Sequence, residues 1–116
     1  MIEYRSISKT FADGTEAVTD FSNADLTVVG EGAKIGSPFA AIGAVLDSGS
    51  HHFLCSRIGP ARTLELVYTG RFLSGAEAVE WGIANAVHPD DELLAAARSL
   101  VAAIAVGPTS AFLASK

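Results

Sequence analysis

The chain has 116 residues, enough for one modest domain and not two. Hydrophobic residues make up 49% and charged residues 18%, which excludes a disordered chain. A net charge of −5 lacks the basic field that nucleic-acid binding needs, and the single Cys55 cannot form an internal disulfide, which fits a reducing, cytoplasmic compartment.

Met1-Ile2-Glu3-Tyr4-Arg5 lacks the basic-then-apolar order of a secretory signal. The uncharged run Ser99 to Ser115 is broken by Gly107-Pro108 and is short for a bilayer span, so no membrane partner is expected. The apolar content is high for so small a domain, an excess that a partner surface would cover.

The first segment, residues 1–23, is polar and turn-rich. Asp13-Gly14 lies between mixed runs holding Ile7, Phe11, Val18 and Phe21, a hairpin signal without clean alternation. A hairpin and a disordered end are both compatible with this segment. The rest, residues 24–116, reads as one unit. Leu26, Val28 and Val29, ended by Gly30, suggest a buried strand, and Ala33-Lys34-Ile35-Gly36 a second short one. Ser37 precedes Pro38 and must be extended. Phe39 to Leu46 is uncharged and broken by Gly43.

From Ser48 onward the pattern is helical. Ser48 or Ser50 can cap a helix running to Arg57, with Gly59-Pro60 as its stop. Pro60 opens the next helix, whose stripe is Leu64, Val67 and Tyr68 and whose end is Gly70. Ser74-Gly75-Ala76-Glu77 spells a capping box for a helix closing at Gly82, followed by a strand over Ile83 to Val87. Asp90, Asp91 and Glu92 place negative charge on the first turn of the longest helix. Leu93, Ala97, Leu100 or Val101, and Ile104 form its stripe, and Gly107-Pro108 ends it before a last apolar segment.

Few residues are suited to chemistry. Cys55 has His51 and His52 one turn earlier, but an apolar helix supplies neither the access nor the lowered pKa of a nucleophile. Asp47, His51 and His52 lack the third ligand with matching spacing that a zinc site requires, so no metal is expected. Gly30-Glu31-Gly32 matches no phosphate-binding pattern. Glu65, Glu77 and Glu80 fall at solvent-type helix positions. Asp47 follows an uncharged stretch and enters a helix start, where it is either a cap or a general base in an apolar cleft.

Asp25-Leu26-Thr27-Val28-Val29, Ala33 to Phe39, Ile42-Gly43, Asp47-Ser48-Gly49-Ser50 and Arg57-Ile58-Gly59 come in that order. Arg62 to Leu66, Thr69-Gly70-Arg71 and the block Ser74 to Val87 follow. As an ordered set over residues 24–116 they resemble the crotonase (enoyl-CoA hydratase/isomerase) superfamily. The resemblance implies an α/β fold, a partial crotonase-like spiral of ββα turns, helix-rich in its C-terminal half, with helices that join subunits. It implies an acyl-CoA thioester as partner, with coenzyme A present only as part of the substrate and no separate cofactor. Family members hold the thioester oxygen with two backbone N–H groups while an enolate forms.

The chain departs from that pattern. The first oxyanion donor, far upstream in the family, has no counterpart before Ala24, and the second is not matched because Thr15-Glu16-Ala17-Val18 stands where the glycine-rich turn would be. The two glutamates of the family's hydratases fall at Thr19 and Phe39, and a phenyl ring cannot move a proton. The context of Asp47 is similar to the isomerase-type branches, which makes Asp47 the candidate catalytic residue and Pro38, Phe39 and Ile42 the candidate acyl-binding residues. The expected parent activity is acyl-CoA double-bond isomerisation, weak or absent in a chain that resembles part of a larger core. The rival expectation is a non-catalytic module packing on a second copy or on a full-length relative.

Overall fold

The computed structural model describes residues 8–10, 16–18, 25–45 and 49–116, with backbone alone for residues 8–10, 16–18 and 38. Two strands flank the expected turn: β1 (Ser8–Thr10) pairs antiparallel with β2 (Glu16–Val18), Lys9 opposite Ala17. Asp13-Gly14 itself lies outside the described residues.

Strands β3 (Val28–Gly30) and β4 (Lys34–Gly36) are neighbours in sequence and belong to different sheets. The turn between them is short. The Ala33 N–H donates to the Gly30 carbonyl at 3.1 Å, which redirects the chain. β4 pairs parallel with β2 and antiparallel with β5 (Phe72–Ser74), Ile35 opposite Leu73. β3 pairs parallel with β6 (Ala86–His88), Val28 opposite Ala86 and Gly30 opposite His88. Leu26, expected in the first of these strands, precedes it and is exposed.

Helix α1 (Ser50–Thr69) is two helices joined at Gly59, whose φ of 78° and ψ of 164° are not helical. The break falls at the expected Gly59-Pro60 stop, because a proline ring clashes with a preceding helical turn. The Thr63 hydroxyl donates to the Gly59 carbonyl at 2.8 Å and ties the second half to the bend. Gly70, at φ 60°, closes α1 by donating its N–H to the Leu66 carbonyl at 3.0 Å.

Two expectations are corrected here, and one strand was not anticipated. β5 had no clear sequence signal: three residues beside a helix end carry no usable periodicity, and β4 supplies the pairing. The strand expected over Ile83 to Val87 forms only at Ala86–His88. Ile83 and Ala84 instead donate their N–H groups to the Ala78 carbonyl at 2.8 and 3.1 Å and are buried. Asp90, Asp91 and Glu92 precede α3 (Leu93–Ala105) and do not occupy its first turn. Asp90 Oδ1 accepts the Gly32 N–H at 3.1 Å, so that carboxylate secures the β3–β4 turn.

The capping box forms as read. Glu77 N–H donates to Ser74 Oγ at 3.2 Å, and Ser74 N–H donates to Glu77 Oε2 at 2.8 Å, opening α2 (Gly75–Trp81). A methyl group at Gly75 would collide with the Gly30 carbonyl oxygen, so glycine there lets α2 start directly against β3.

Val29, Ile35, Leu54, Leu66, Leu73, Ala78, Ile83 and Ala84 form the core, with Ala33, Ile58, Val79, Trp81 and Val87 packed around it. Each fully buried large aliphatic contributes about 1.5–3 kcal/mol of transfer free energy. α3 lies against β3 and β6 through the expected stripe, whose residues are only half-buried. α4 (Thr109–Ser115) follows at a bend of 103°, and neither α3 nor α4 has a buried residue. No single helix among the described residues is long and apolar enough to cross a membrane.

Candidate functional site

β4 runs through Ser37 into a 3-10 turn over Pro38–Ile42, with Pro38 where a missing N–H is harmless. Gly43 ends the turn at φ 68°. Its N–H donates to the Ala40 carbonyl at 3.1 Å, and the Ala44 N–H donates to the Phe39 carbonyl at 3.0 Å. A 3-10 turn has three residues per turn, so Phe39 and Ile42 share one side of it. Phe39 is half-buried, while Ile42 and Val45 are each 77% exposed. Two of the three candidate acyl-binding residues thus stand three positions apart in one turn. Pro38 is placed in the same turn by its backbone alone. Ser37, 1% exposed, anchors the turn's entry, and its hydroxyl has no hydrogen-bond partner.

Asp47 lies outside the described residues, as do its neighbours Leu46 and Ser48 and the family-position residue Thr19. The chain on either side is placed. Val45 follows the turn, and Gly49, at φ 74°, is the residue from which α1 starts. Ser50 is the first helical residue and makes no cap. Gly49 takes that position without a side-chain bond, and its carbonyl accepts the Phe53 N–H at 3.2 Å. His51 is half-buried, with Nε2 unpartnered. The exposed His52 ring packs edge-to-face on Phe53 at 5.4 Å. Cys55 is a free, half-buried thiol. Among the described residues no three His, Cys, Asp or Glu side chains group as a metal site would require.

A second polar cluster was not legible as such. Glu65, exposed as expected, and Glu77, half-buried, both face Arg71. Arg71 Nε lies 3.2 Å from Glu65 Oε1 as a charge pair outside hydrogen-bond geometry, and Arg71 Nη1 donates to Glu77 Oε1 at 3.3 Å. The Arg71 guanidinium also stacks 4.8 Å from the Trp81 ring centre, and Arg62 lies 5.0 Å from the same ring. Hydrogen bonds from the Ser74 backbone and hydroxyl, then the bond and charge from Arg71, hold the Glu77 carboxyl below its ordinary value despite slight desolvation. The available signal was the capping box, which placed Glu77 one helical turn before Trp81.

Small strands in two sheets, the glycine-bounded helices and the 3-10 turn after β4 define a partial crotonase-type α/β fold. The family model for enoyl-CoA hydratase/isomerase matches residues 11–116, and the chain belongs to that family. It is 40% identical over 82 residues to carnitinyl-CoA dehydratase of Proteus mirabilis (strain HI4320), covering 71% of this chain and 31% of that protein. It is 43% identical over 77 residues to carnitinyl-CoA dehydratase of Salmonella typhi, covering 66% and 30%. Among solved structures, EchA1_1 from Mycobacterium paratuberculosis superposes with a TM-score of 0.75 at 32% identity, over 79% of this chain and 36% of that one. An enoyl-CoA hydratase of Thermobifida fusca YX in complex with CoA gives 0.72 at 32% identity, over 75% and 34%. The chain therefore spans about a third of the length of these relatives. The activities named among them are those of a dehydratase and a hydratase, so membership in the family does not carry the isomerase-type branch with it.

Proposed function

We propose that this chain takes an acyl-CoA thioester against the edge made by Pro38, Phe39 and Ile42, with Asp47 moving a proton on the acyl chain. What supports this reading is that Phe39 and Ile42 stand three positions apart in the 3-10 turn, with Asp47 only five positions further along the sequence. A single carboxylate suffices to shuttle a proton between two carbons of a thioester enolate, which is double-bond isomerisation. The carnitinyl-CoA dehydratase likeness supports instead loss of water from a hydroxyacyl thioester through the same kind of enolate. That route needs an acid for the leaving hydroxyl, and Phe39 cannot serve as one. Isomerisation asks less of the residues present and is the reading favoured. Thr15-Glu16-Ala17-Val18 stands where the family's glycine-rich donor turn would be, and a missing donor of that kind costs about 3–4 kcal/mol in the transition state, so the turnover is weak.

Calorimetry of the chain with crotonyl-CoA tests binding, with heat expected at millimolar ligand and its absence overturning the reading. In any sample showing isomerase turnover, Asp47→Asn should abolish it. An unchanged rate would remove Asp47 from the mechanism.

A second reading is favoured by α3 and α4, which bury no residue, with Leu94 in α3 62% exposed and Val106, just after α3, 88% exposed. In this reading the chain is a non-catalytic module that packs on a copy of itself or on a full-length relative. Sedimentation equilibrium separates the two: a stable monomer that melts cooperatively argues against the module.

A further inference from the structure

We infer that Arg71 is a positioning residue for the acyl-CoA edge, because its clamped side chain fixes the backbone on which Gly36 rests. This inference rests on the acyl-CoA reading above. Arg71 follows the left-handed Gly70 and leads into β5. Its guanidinium meets Glu65 from the second half of α1, Glu77 from α2 and the face of Trp81 at the end of α2. Arg62, stacked on the same indole, brings the cluster to two guanidinium groups against two carboxylates, so its charges balance internally. Each partly exposed ion pair is weak alone. Three partners from two helices, acting on one planar group, restrain it far more than any single pair.

The main chain of Arg71 carries that restraint to the edge. A methyl group at Gly36 would sit 2.6 Å from the Arg71 carbonyl oxygen and 2.9 Å from Phe72 Cδ1, so β4 approaches this backbone as closely as glycine permits. Gly36 is also the register partner of Phe72. Ser37 follows, almost fully buried, and then Pro38 with its fixed φ opens the turn holding Phe39 and Ile42. A displaced Arg71 carbonyl therefore moves Gly36, and only two residues separate Gly36 from Phe39.

Amide hydrogen exchange, read residue by residue by NMR, tests this in Arg71→Gln. The reporters are the Gly43 and Ala44 amides, whose bonds close the turn. Their exchange should speed up roughly three- to tenfold, while the Glu31 and Ala96 amides, bonded to His88 and Glu92, stay unchanged. Crotonyl-CoA affinity should fall by a similar factor. Arg71→Lys keeps the charge but loses the fork and the flat stacking face, and should fall between. Trp81 is the only tryptophan, so its emission reports directly that the cluster has been disturbed. Shifted emission with unchanged Gly43 and Ala44 exchange overturns the inference, and so does a uniform acceleration across all amides. If the unsubstituted chain gives no heat with crotonyl-CoA, the acyl-CoA reading fails, while the exchange pattern still decides whether Arg71 holds the turn.

Discussion

Asn85 grips Thr27 twice: its side-chain Oδ1 accepts the Thr27 N–H at 2.8 Å, and its own N–H donates to the Thr27 carbonyl at 2.7 Å. The two residues stand immediately before β3 and β6, so this pair sets the register of a parallel sheet that is two strands wide among the described residues. Such a sheet has little intrinsic stability and depends on what pins its ends. Asn85→Leu leaves the Thr27 N–H without its acceptor and should cost about 1–2 kcal/mol in urea unfolding. Asn85→Asp retains an acceptor at the same reach and should cost less than half as much. Equal losses for the two variants would show that the hydrogen bond does not hold the register.

The Ser74–Glu77 box makes a second pair of predictions. Ser74→Ala removes the acceptor for the Glu77 N–H and should lower stability by about 1 kcal/mol. Glu77 has a folded-state pKa held below its ordinary value of 4.5. A carboxyl depressed by folding contributes stability that is fully present above the unfolded pKa and is lost as pH falls through the folded one. The difference in Tm between the native chain and Glu77→Gln should therefore be constant at neutral pH. It should shrink below about pH 4.5, the ordinary carboxyl value from which the shift is measured. A gap that widened on acidification would contradict the hydrogen-bonding pattern at the cap.

These local devices were also the legible part of the sequence. Gly59-Pro60, Gly70, the capping box and Gly82 each act through backbone sterics or a bond three residues away, so spacing alone reveals them. Strand pairing was not legible, because nothing in Phe72-Leu73-Ser74 announces that Leu73 will face Ile35. The fate of Asp90 was missed for a related reason. A carboxylate beside a helix start reads as a dipole partner, and only the fold brings Gly32 to it across 58 positions of chain. At the candidate site, Phe39 and Ile42 followed from family resemblance, and their common edge followed from the 3-10 geometry. The Arg71 cluster draws on α1, β5 and α2 together, and no one-dimensional pattern encodes that meeting.

Two glycines should respond to alanine for different reasons. Gly59, at φ 78° and ψ 164°, occupies a region that is essentially glycine-only, although nothing lies within 4 Å of where a methyl group would sit. Gly59→Ala should therefore cost about 1–3 kcal/mol through backbone strain alone. Gly75 has no such conformational demand, but a methyl group there meets the Gly30 carbonyl and comes within 3.0 Å of Val87 Cγ2. Because the obstacle includes backbone, relief requires α2 to move off the β3–β6 sheet, and Gly75→Ala should cost about 3 kcal/mol or more. Circular dichroism melts of both variants check the order. A tolerated Gly75→Ala would mean that α2 is free to shift.

Leu73 and Leu94 separate the part of the chain that carries its own core from the part that does not. Leu73 is fully buried between β4 and the helices, so Leu73→Ala should lose about 2–5 kcal/mol through transfer and cavity terms together. Leu94 and Val106 protrude from the α3 region with most of their surface in solvent. Replacing either by a charged residue removes little internal packing, and Leu94→Lys or Val106→Glu should change monomer stability by less than about 0.5 kcal/mol. If that apolar face is instead covered by a second chain, the same substitutions bury an unpaired charge at the interface and should dissociate the assembly. Sedimentation read beside the melting curve distinguishes the cases. An unchanged melt with loss of a slower-diffusing species identifies an interface, whereas an unchanged melt with an unchanged mass leaves α3 and α4 as a surface of the monomer.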